Sequence, residues 1–246
     1  MGRFTGKRIL ITGGTSGIGL AGAIRIVEEG GAVAVTGLNQ AHLDDARQKL
    51  PGEALVFHND ASQPTAAEEL ANRVAALGGL DGLWLNAGYA RVAGIEDTHF
   101  EFFDRMMNAN ARGPMLQIAS LTNLLKPGAS VVLTSSTSAY EAAPMASVYA
   151  ASKGALISMA RCFAAALGER GIRVNVLVPG PIESSFRSFM LEPTRKEFEE
   201  EVVNRLALKR MGTASEAAAV ALFLLSDDAA YVTGSQYAVD GGLMMR

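Results

Sequence analysis

Short apolar segments alternate with helix-like segments along almost the whole chain, and this alternation limits the possible folds more than any other feature. Strand-like runs rich in Val, Ile and Leu are predicted at 8–12, 32–36, 54–58, 82–86, 130–135, 172–178 and 236–239. Helical patterns lie between them, over 17–29, 40–50, 64–77, 100–125, 147–168 and 215–226. Continuous apolar runs separated by crossovers of about a dozen residues or more are typical of parallel strands buried on both faces. The pattern predicts a doubly wound α/β fold, a seven-stranded parallel sheet with helices on both faces.

The chain is expected to form one domain over residues 1–246. Its composition, 49% hydrophobic and 19% charged residues, is ordinary for a globular protein with one buried core. No internal repeat, low-complexity tract or flexible linker divides it. The segment 183–208 breaks the alternation, and we interpret it as a substrate flap, with an ordinary packed helix pair as the alternative.

Charge and composition argue against several classes of partner. The net charge of −3 and the scattered Lys and Arg residues predict no binding of nucleic acid. No apolar run reaches the roughly 18 residues needed to span a bilayer, and the first residues do not resemble a signal peptide, so we expect a cytoplasmic protein without a membrane partner. Cys162 is the single cysteine and is expected on the packed face of a helix. No metal site is predicted, because His42, His58 and His99 lack ligand spacing.

A glycine-rich turn joins the first predicted strand to the first predicted helix. It reads Thr12-Gly13-Gly14-Thr15-Ser16-Gly17-Ile18-Gly19. The glycines at 13, 17 and 19 allow a sharp turn and a close approach to a pyrophosphate, and the helix N-terminus supplies free N–H groups. Ligands of open parallel sheets bind beyond the carboxyl ends of the strands. The strand–turn–helix context therefore predicts a dinucleotide site, with a tight turn that binds nothing as the alternative.

A tyrosine and a lysine four residues apart form the candidate catalytic pair. Tyr149 and Lys153 lie in a predicted helix, so their side chains share one face, one turn apart. An ammonium group near a phenol favours the phenolate and lowers a phenol pKa that is normally about 10. Taken alone, a tyrosine and a lysine at this spacing often occur in a helix by chance. The pair becomes informative because Ser136, just past the carboxyl end of the fifth predicted strand, precedes the tyrosine by thirteen residues.

Together these motifs resemble those of the short-chain dehydrogenase/reductases. The Gly13-xxx-Gly17-x-Gly19 spacing looks like the fingerprint of that family, and Ser136, Tyr149 and Lys153 match the spacing of its active site. The resemblance covers essentially the whole chain. It implies a Rossmann fold and an NAD(P)(H)-dependent oxidoreductase that interconverts a ketone or aldehyde and an alcohol. It further implies that Tyr149 exchanges the proton, that Ser136 bonds the substrate oxygen, and that Lys153 also holds the nicotinamide ribose.

The resemblance also assigns cofactor contacts along the chain. They are expected at the glycine turn, after the second, third, fourth and sixth strands, and at the catalytic pair, namely at Gly13, Thr15, Ser16, Gly17, Ile18, Gly19, Leu38, Asp60, Ala61, Asn86, Ala87, Gly88, Tyr149, Lys153, Pro179, Gly180, Ile182 and Ser184. The chain departs from the family pattern where Leu85 replaces the first Asn of an Asn-Asn-Ala-Gly motif, and where Ser184 replaces a usual threonine.

The coenzyme type is left open by the residues at the end of the second strand. In the family an acidic residue there holds the ribose of NAD, and a basic residue just after it favours the phosphate of NADP. Here the stretch Thr36-Gly37-Leu38-Asn39 carries neither charge. We therefore predict NAD(H) or NADP(H), with a slight preference for NAD(H).

Several residue roles have alternatives. Asn110 matches the family asparagine that holds a water in a proton relay with the lysine, and the alternative is an exposed Asn108 or Asn110 without a task. Ser135, Thr137 and Ser138 compete with Ser136 for the substrate oxygen. Hydroxyls at a strand end can also merely satisfy turn hydrogen bonds.

The alternative function is a dinucleotide-sensing protein that has lost the chemistry, which we would expect to lack one of the three catalytic residues. An enoyl reductase is disfavoured, because its motif places the lysine further from the tyrosine. A ketoreductase acting on acyl carrier protein would need a basic docking patch, for which the candidates are Arg105, Arg112, Arg187, Lys209 and Arg210.

The predicted partner is a small carbonyl or alcohol compound. The family resemblance and the apolar tail Leu243-Met244-Met245 predict a homo-oligomer, a tetramer or a dimer.

Overall fold

One parallel sheet organises the protein. The structure is a computed structural model that describes residues 2–183 and 189–245. Within them, seven strands pair in the order β3-β2-β1-β4-β5-β6-β7. The strands are β1 Arg8–Thr12, β2 Ala32–Gly37, β3 Leu55–His58, β4 Leu80–Leu85, β5 Leu125–Thr134, β6 Arg173–Pro179 and β7 Gln236–Val239. The strand order reverses between β1 and β4, which marks the edge where open parallel sheets bind ligands.

Helices cover both faces of this sheet. The α-helices of the described residues are α1 Gly17–Glu28, α2 Gln40–Lys49, α3 Ala66–Ala75, α4 Phe100–Met107, α5 Gly113–Leu121, α6 Ser147–Leu167, α7 Glu192–Arg205 and α8 Ala214–Leu225. One apolar cluster joins the sheet to α3, α5 and α6. A second cluster joins its other face to α1, α2 and α8. The predicted doubly wound, seven-stranded fold is confirmed.

Successive side chains of the central strands point into opposite clusters. Leu10 belongs to the cluster with α6, whereas Ile9 and Ile11 belong to the cluster with α1. This alternation is the reason for the continuous apolar runs in the sequence. Trp84 fills the α1 side and lies directly against Gly22, where any side chain would clash with its ring. Glycine at that position lets α1 approach the sheet, which places the start of α1 at the strand ends.

Two predicted elements differ from the structure in their internal geometry. The helical pattern over 100–125 is interrupted by a π-helical turn at Asn108–Arg112, which separates α4 from α5. Strand β5 begins earlier than predicted, and its Pro127 and Gly128 are exposed where the register with β4 shifts. Proline has no N–H to donate to the sheet, so it is tolerated at such an irregular point rather than ending the strand.

The prediction for Cys162 was wrong, because its side chain is exposed. The buried positions of α6 include Ser152, Leu156, Ala160 and Ala164. Their spacing of four residues defines a stripe that leaves position 162 on the other side of the helix.

The segment predicted as a flap is only partly described. Helix α7 occupies its second half and buries only Val202, while residues 184–188 lie outside the described part, so the flap stays a prediction. Across residues 2–183 and 189–245, no helix is both long and apolar enough to cross a membrane. The same residues contain no group of three or more His, Cys, Asp or Glu side chains that could hold a metal ion.

Candidate active site

An open cavity of about 480 Å³ lies at the carboxyl ends of β1, β4, β5 and β6. Its lining includes most of the residues predicted from sequence, namely Gly13, Ser16, Gly17, Ile18, Asn86, Ala87, Gly88, Ser136, Tyr149, Lys153, Pro179, Gly180 and Ile182. A second cavity, of about 260 Å³, shares part of this lining and is bordered by Thr15, Leu38, Asp60 and Ala61. Gly19 and Asn110 line neither cavity, and Ser184 lies outside the described residues.

The glycine turn leaves the first backbone N–H groups of α1 available to an anion. Gly13 and Gly17 have φ angles of +64° and +52°, which favour glycine. A side chain at Gly13 would bring its Cβ within 2.8 Å of the Ala87 Cα. Ser16 occupies the N-cap position of α1 but makes no side-chain capping bond, and the first turn holds no acidic residue. An uncapped helix start of this kind fits the pyrophosphate of a dinucleotide.

Asn86 ties the glycine turn to the end of β5. Its Nδ2 donates to the Gly13 carbonyl at 3.0 Å, and its Oδ1 accepts from the Thr134 hydroxyl at 3.1 Å. The Thr134 Oγ1 in turn accepts from Trp84 Nε1 at 2.8 Å. Leu85, the residue that departs from the family motif, is buried in the apolar cluster with α6. The departure adds packing and leaves the polar network of Asn86 intact.

Lys153 lines the larger cavity but is almost fully buried, which is unusual for a lysine. Its Nζ donates to the Thr134 carbonyl at 2.9 Å and lies 5.8 Å from the centre of the Tyr149 ring. Burial lowers the pKa of Lys153 to about 8, because desolvation disfavours the charged form. An ammonium group has three N–H donors, so the bond to Thr134 does not exhaust it. Gly88 keeps the space beside the amine open, since a Cβ there would lie 3.2 Å from Nζ.

The hydroxyl groups at the end of β5 differ in what they bind. Ser135 donates to the Lys153 carbonyl at 2.8 Å, and Thr137 is buried without lining either cavity. Ser136 lines the larger cavity, and its Oγ accepts the backbone N–H of Ser138 at 3.2 Å. An oxygen that accepts this bond still has its own proton to donate. Ser135 also lines the larger cavity, but its proton is already donated to the Lys153 carbonyl, so donor capacity favours Ser136.

Asn110 is fully buried, which contradicts the alternative of an exposed residue without a task. It lies in the π-helical turn between α4 and α5. Its Oδ1 accepts the Tyr89 N–H at 2.7 Å, and its Nδ2 donates to the Tyr89 carbonyl at 2.8 Å. Nδ2 also donates to Ser152 Oγ at 3.0 Å. The side chain thus fixes the loop after β4 to α6, a positioning role that the sequence did not reveal.

The second cavity has an uncharged wall at the end of β2. Leu38 is exposed there, and Asn39 caps α2 by accepting the His42 N–H at 3.1 Å. Asp60 faces the same cavity. Burial raises the pKa of Asp60, but hydrogen bonds from Ser62 and Gln63 outweigh it and hold that pKa below its usual value. Asp60 is therefore ionised at neutral pH.

A cluster of rings and guanidinium groups beside the larger cavity was not predicted from the sequence. The Arg105 and Arg91 guanidinium carbons lie 4.6 and 5.0 Å from the centre of the Tyr89 ring. Arg91 also lies 4.8 Å from the centre of the Phe189 ring. Tyr89 and Arg91 line the larger cavity. Their position directly after the Asn-Ala-Gly segment, in a loop at a strand end, is the signal that could have identified them.

Comparison with known proteins finds similarity over nearly the whole chain. A family model described as enoyl-(acyl carrier protein) reductase matches residues 13–244. The oxidoreductase asL5 of Sarocladium schorii is 37% identical over 98% of this chain and 97% of that protein. The glucose 1-dehydrogenase of Gluconobacter oxydans is 35% identical over 99% of this chain and 94% of that protein.

Solved structures agree with these matches. A Brucella melitensis protein described as short-chain dehydrogenase/reductase SDR:Glucose/ribitol dehydrogenase has a TM-score of 0.93 and 30% identity, covering 100% of this chain and 99% of that one. A short chain dehydrogenase from Burkholderia cenocepacia in complex with NADP has a TM-score of 0.90 and 31% identity, covering 98% and 99%. Because the similarity runs from the glycine turn to the last strand, the chain belongs to the short-chain dehydrogenase/reductase family of oxidoreductases.

Proposed function

We propose that this protein interconverts a ketone or aldehyde and an alcohol by hydride transfer with NAD(P)(H), and that Tyr149 is its acid/base. One observation carries the proposal: Ser136, Tyr149 and Lys153 line a single cavity that extends to the uncapped start of α1. A proton donor and a place for an anionic dinucleotide are thereby adjacent. The catalysed reaction needs both of them together.

The chemistry divides between the coenzyme and the chain. When bound, the nicotinamide coenzyme supplies or accepts the hydride. In reduction, the hydroxyls of Ser136 and Tyr149 bond the carbonyl oxygen of the substrate. Tyr149 gives its proton to that oxygen as negative charge develops there, and oxidation reverses the transfer. Lys153, beside the ring of Tyr149, favours the phenolate electrostatically.

Asn110 supports this machinery in the proposal. It bonds Ser152, the residue before Lys153, and thereby holds the loop after β4 against α6. We retain the water relay through Asn110 and Lys153 as the proposed route that returns a proton to Tyr149. Because its amide already bonds Tyr89 and Ser152, the side chain would mainly position the relay.

The dinucleotide would lie along both cavities. The pyrophosphate is assigned to the glycine turn and the start of α1, the adenosine to the cavity with Leu38, Asp60 and Ala61, and the nicotinamide to Pro179, Gly180, Ile182 and Ser184. Lys153 would hold the nicotinamide ribose. A weak preference for NAD(H) remains proposed, because Leu38 and Asn39 offer no cation for a ribose phosphate. The Burkholderia relative bound to NADP does not support that preference, so we expect both coenzymes to bind.

The protein is further proposed to be one domain over residues 1–246 and a homo-oligomer, a dimer or a tetramer. Exposed Phe100 and Phe103, three residues apart on α4, support the second point, because neighbouring exposed apolar side chains mark interaction surfaces. In the tail, Leu243 is buried but Met245 is exposed. Cytoplasmic location stays a prediction from the sequence.

The test is coenzyme-dependent turnover of a panel of ketones, aldehydes, alcohols and an enoyl thioester, followed by the absorbance of the reduced coenzyme with NADH and NADPH in parallel. We expect turnover of a carbonyl or alcohol compound and its loss in Tyr149→Phe. Tight coenzyme binding without any turnover would instead favour a dinucleotide-sensing protein. Turnover of the thioester alone would favour the activity in the description of the matched family model.

A further inference from the structure

A short loop directly after the Asn-Ala-Gly segment brings a guanidinium group to the cavity. Arg91 lines the same cavity as Ser136 and Tyr149. The loop is anchored on the catalytic side, because the Ala93 N–H donates to the Met145 carbonyl, just before α6, at 3.0 Å. Arg91 is therefore linked to the segment that leads into the helix of Tyr149.

Two aromatic rings pack against the guanidinium of Arg91, which is an exposed residue. Its central carbon lies 5.0 Å from the centre of the Tyr89 ring and 4.8 Å from that of Phe189. The backbone N–H and carbonyl of Tyr89 are both hydrogen-bonded to the side-chain amide of Asn110, which holds this part of the loop. Stacked rings reduce the freedom of a long side chain and preorganise it for binding. Nη1 donates to the Ala90 carbonyl, but a guanidinium has five N–H donors, so others remain.

The charge of Arg91 has no carboxylate partner among the described residues. Other arginines of the protein do have one: Arg3 pairs with Glu29 at 2.6 Å and Arg210 with Glu216 at 2.6 Å. The described lining of the larger cavity contains Arg91 and Lys153 but no Asp or Glu. A cavity lined by cations alone attracts anions.

From this geometry we propose that the substrate is an oxo acid or hydroxy acid whose carboxylate pairs with Arg91. The planar guanidinium can bind both carboxylate oxygens at once, which orients the molecule as well as attracting it. The carboxylate itself does not react: the carbonyl carbon gains the hydride and its oxygen gains the proton of Tyr149. This inference rests on the proposed function and adds a substrate class to it.

The test compares each oxo acid with its uncharged methyl ester. Pyruvate, acetoacetate and levulinate place the carboxylate at increasing distance from the ketone. For at least one of them we expect wild-type kcat/KM for the acid to exceed that for the ester by ~10-fold or more, mainly through KM, as suits a charge-assisted contact. Arg91→Gln should remove this ratio, and Arg91→Lys should keep part of it.

Arg73→Gln is the matched control, because its guanidinium also stacks on a ring, 5.5 Å from the centre of Phe57, yet lines neither cavity. It should keep the wild-type ratio. Equal kcat/KM for acids and esters would overturn the inference while leaving the oxidoreductase proposal intact. A weaker coenzyme affinity in Arg91→Gln, with the acid preference unchanged, would also overturn it by assigning Arg91 to the coenzyme.

Calorimetry with glutarate and the protein–NADP complex tests the pairing without turnover. Wild type and Arg73→Gln should bind glutarate, and Arg91→Gln should bind it at least ~10-fold more weakly. If wild type turned over nothing, the proposed function would fail, and this titration would still decide the role of Arg91. Unchanged glutarate affinity in Arg91→Gln would count against the pairing.

Discussion

Lys153 and Thr134 are joined by a 2.9 Å hydrogen bond from the lysine Nζ to the threonine backbone carbonyl, where β5 ends. The next residue, Ser135, returns a bond of 2.8 Å from its hydroxyl to the Lys153 carbonyl. These two bonds run in opposite directions and fix α6 on the sheet. The lysine is therefore held by backbone rather than by a carboxylate, so its charge stays available to Tyr149 and to a ligand.

The burial of the Lys153 charge predicts that this residue lowers the stability of the fold while it supports activity. The pKa of Lys153 is lowered to about 8, against about 10.4 for an unfolded lysine. Below pH 8 both states carry the proton and the folded protein bears the full desolvation penalty. Between the two pKa values the unfolded state binds more protons, so stability rises with pH in that window. Each pKa unit corresponds to ~1.4 kcal/mol.

Lys153→Met should therefore raise the free energy of unfolding near pH 7 by up to ~3 kcal/mol, because the penalty disappears with the charge. It should abolish turnover and weaken coenzyme binding. Urea unfolding of both proteins at neutral and at alkaline pH measures this, and the difference should shrink as the pH rises. A variant less stable than wild type at neutral pH would contradict the assigned burial cost.

Tyr149→Phe should keep coenzyme affinity and lower kcat by at least ~100-fold, because it removes only the acid/base hydroxyl. Tyr140→Phe is a matched control. Tyr140 lies shortly after the end of β5, but it is 51% exposed and lines neither cavity. Coenzyme titration and steady-state kinetics of both variants provide the measurement. Comparable kcat values in the two variants would remove Tyr149 from its assigned role.

Substitutions of the neighbouring Ser135 and Ser136 should have different effects, the first mainly on stability and the second mainly on activity. Ser136→Ala should lower kcat/KM by ~10- to 100-fold with little change in stability, because it removes a donor to the substrate oxygen. Ser135→Ala should lower the free energy of unfolding by ~1 kcal/mol, since it loses a buried hydrogen bond to Lys153. Thermal unfolding and kinetics of both variants check this. The opposite pattern would assign the substrate contact to Ser135.

The fold was accessible from the sequence because both faces of the sheet are covered. A strand such as β1, whose Ile9, Leu10 and Ile11 are all buried, has to be apolar on both faces, and each crossover helix has one apolar stripe. The π-helical turn at Asn108–Arg112 was not accessible, since its residues fit a helical period and the change lies in backbone hydrogen bonding. The prediction that Cys162 is packed was wrong for a related reason, because the composition around it does not show which side of α6 faces the sheet.

The candidate site was predictable where a motif fixes the spacing, as for Tyr149, Lys153 and the glycine turn. The separate roles of neighbouring residues in the site were not predictable. Ser135 and Ser136 are adjacent and chemically identical, and both line the larger cavity. Only the structure shows that the Ser135 hydroxyl donates to the Lys153 carbonyl, whereas the Ser136 oxygen accepts a backbone N–H and keeps its own proton. The stacking of Arg91 on Tyr89 and Phe189 joins residues about a hundred positions apart in sequence, which local spacing cannot reveal.

Coenzyme preference should respond to one exposed position at the end of β2. Leu38 is 57% exposed and lines the cavity assigned to the adenosine, so a longer side chain there meets little resistance. Leu38→Arg should lower the Kd for NADPH by ~10-fold, about 1.4 kcal/mol, through a charge-assisted bond to the ribose phosphate. The Kd for NADH should change little, because NADH has no such phosphate.

Leu208→Arg controls for added charge alone, because Leu208 is 64% exposed and lines neither cavity. Fluorescence titration of both coenzymes at two ionic strengths provides the measurement, and the gain of Leu38→Arg should diminish with salt, as a partly exposed ion pair does. If both variants improved NADPH affinity equally, net charge would explain the effect. In that case Leu38 would not lie beside the ribose phosphate, and the path assigned to the dinucleotide would be wrong at its adenosine end.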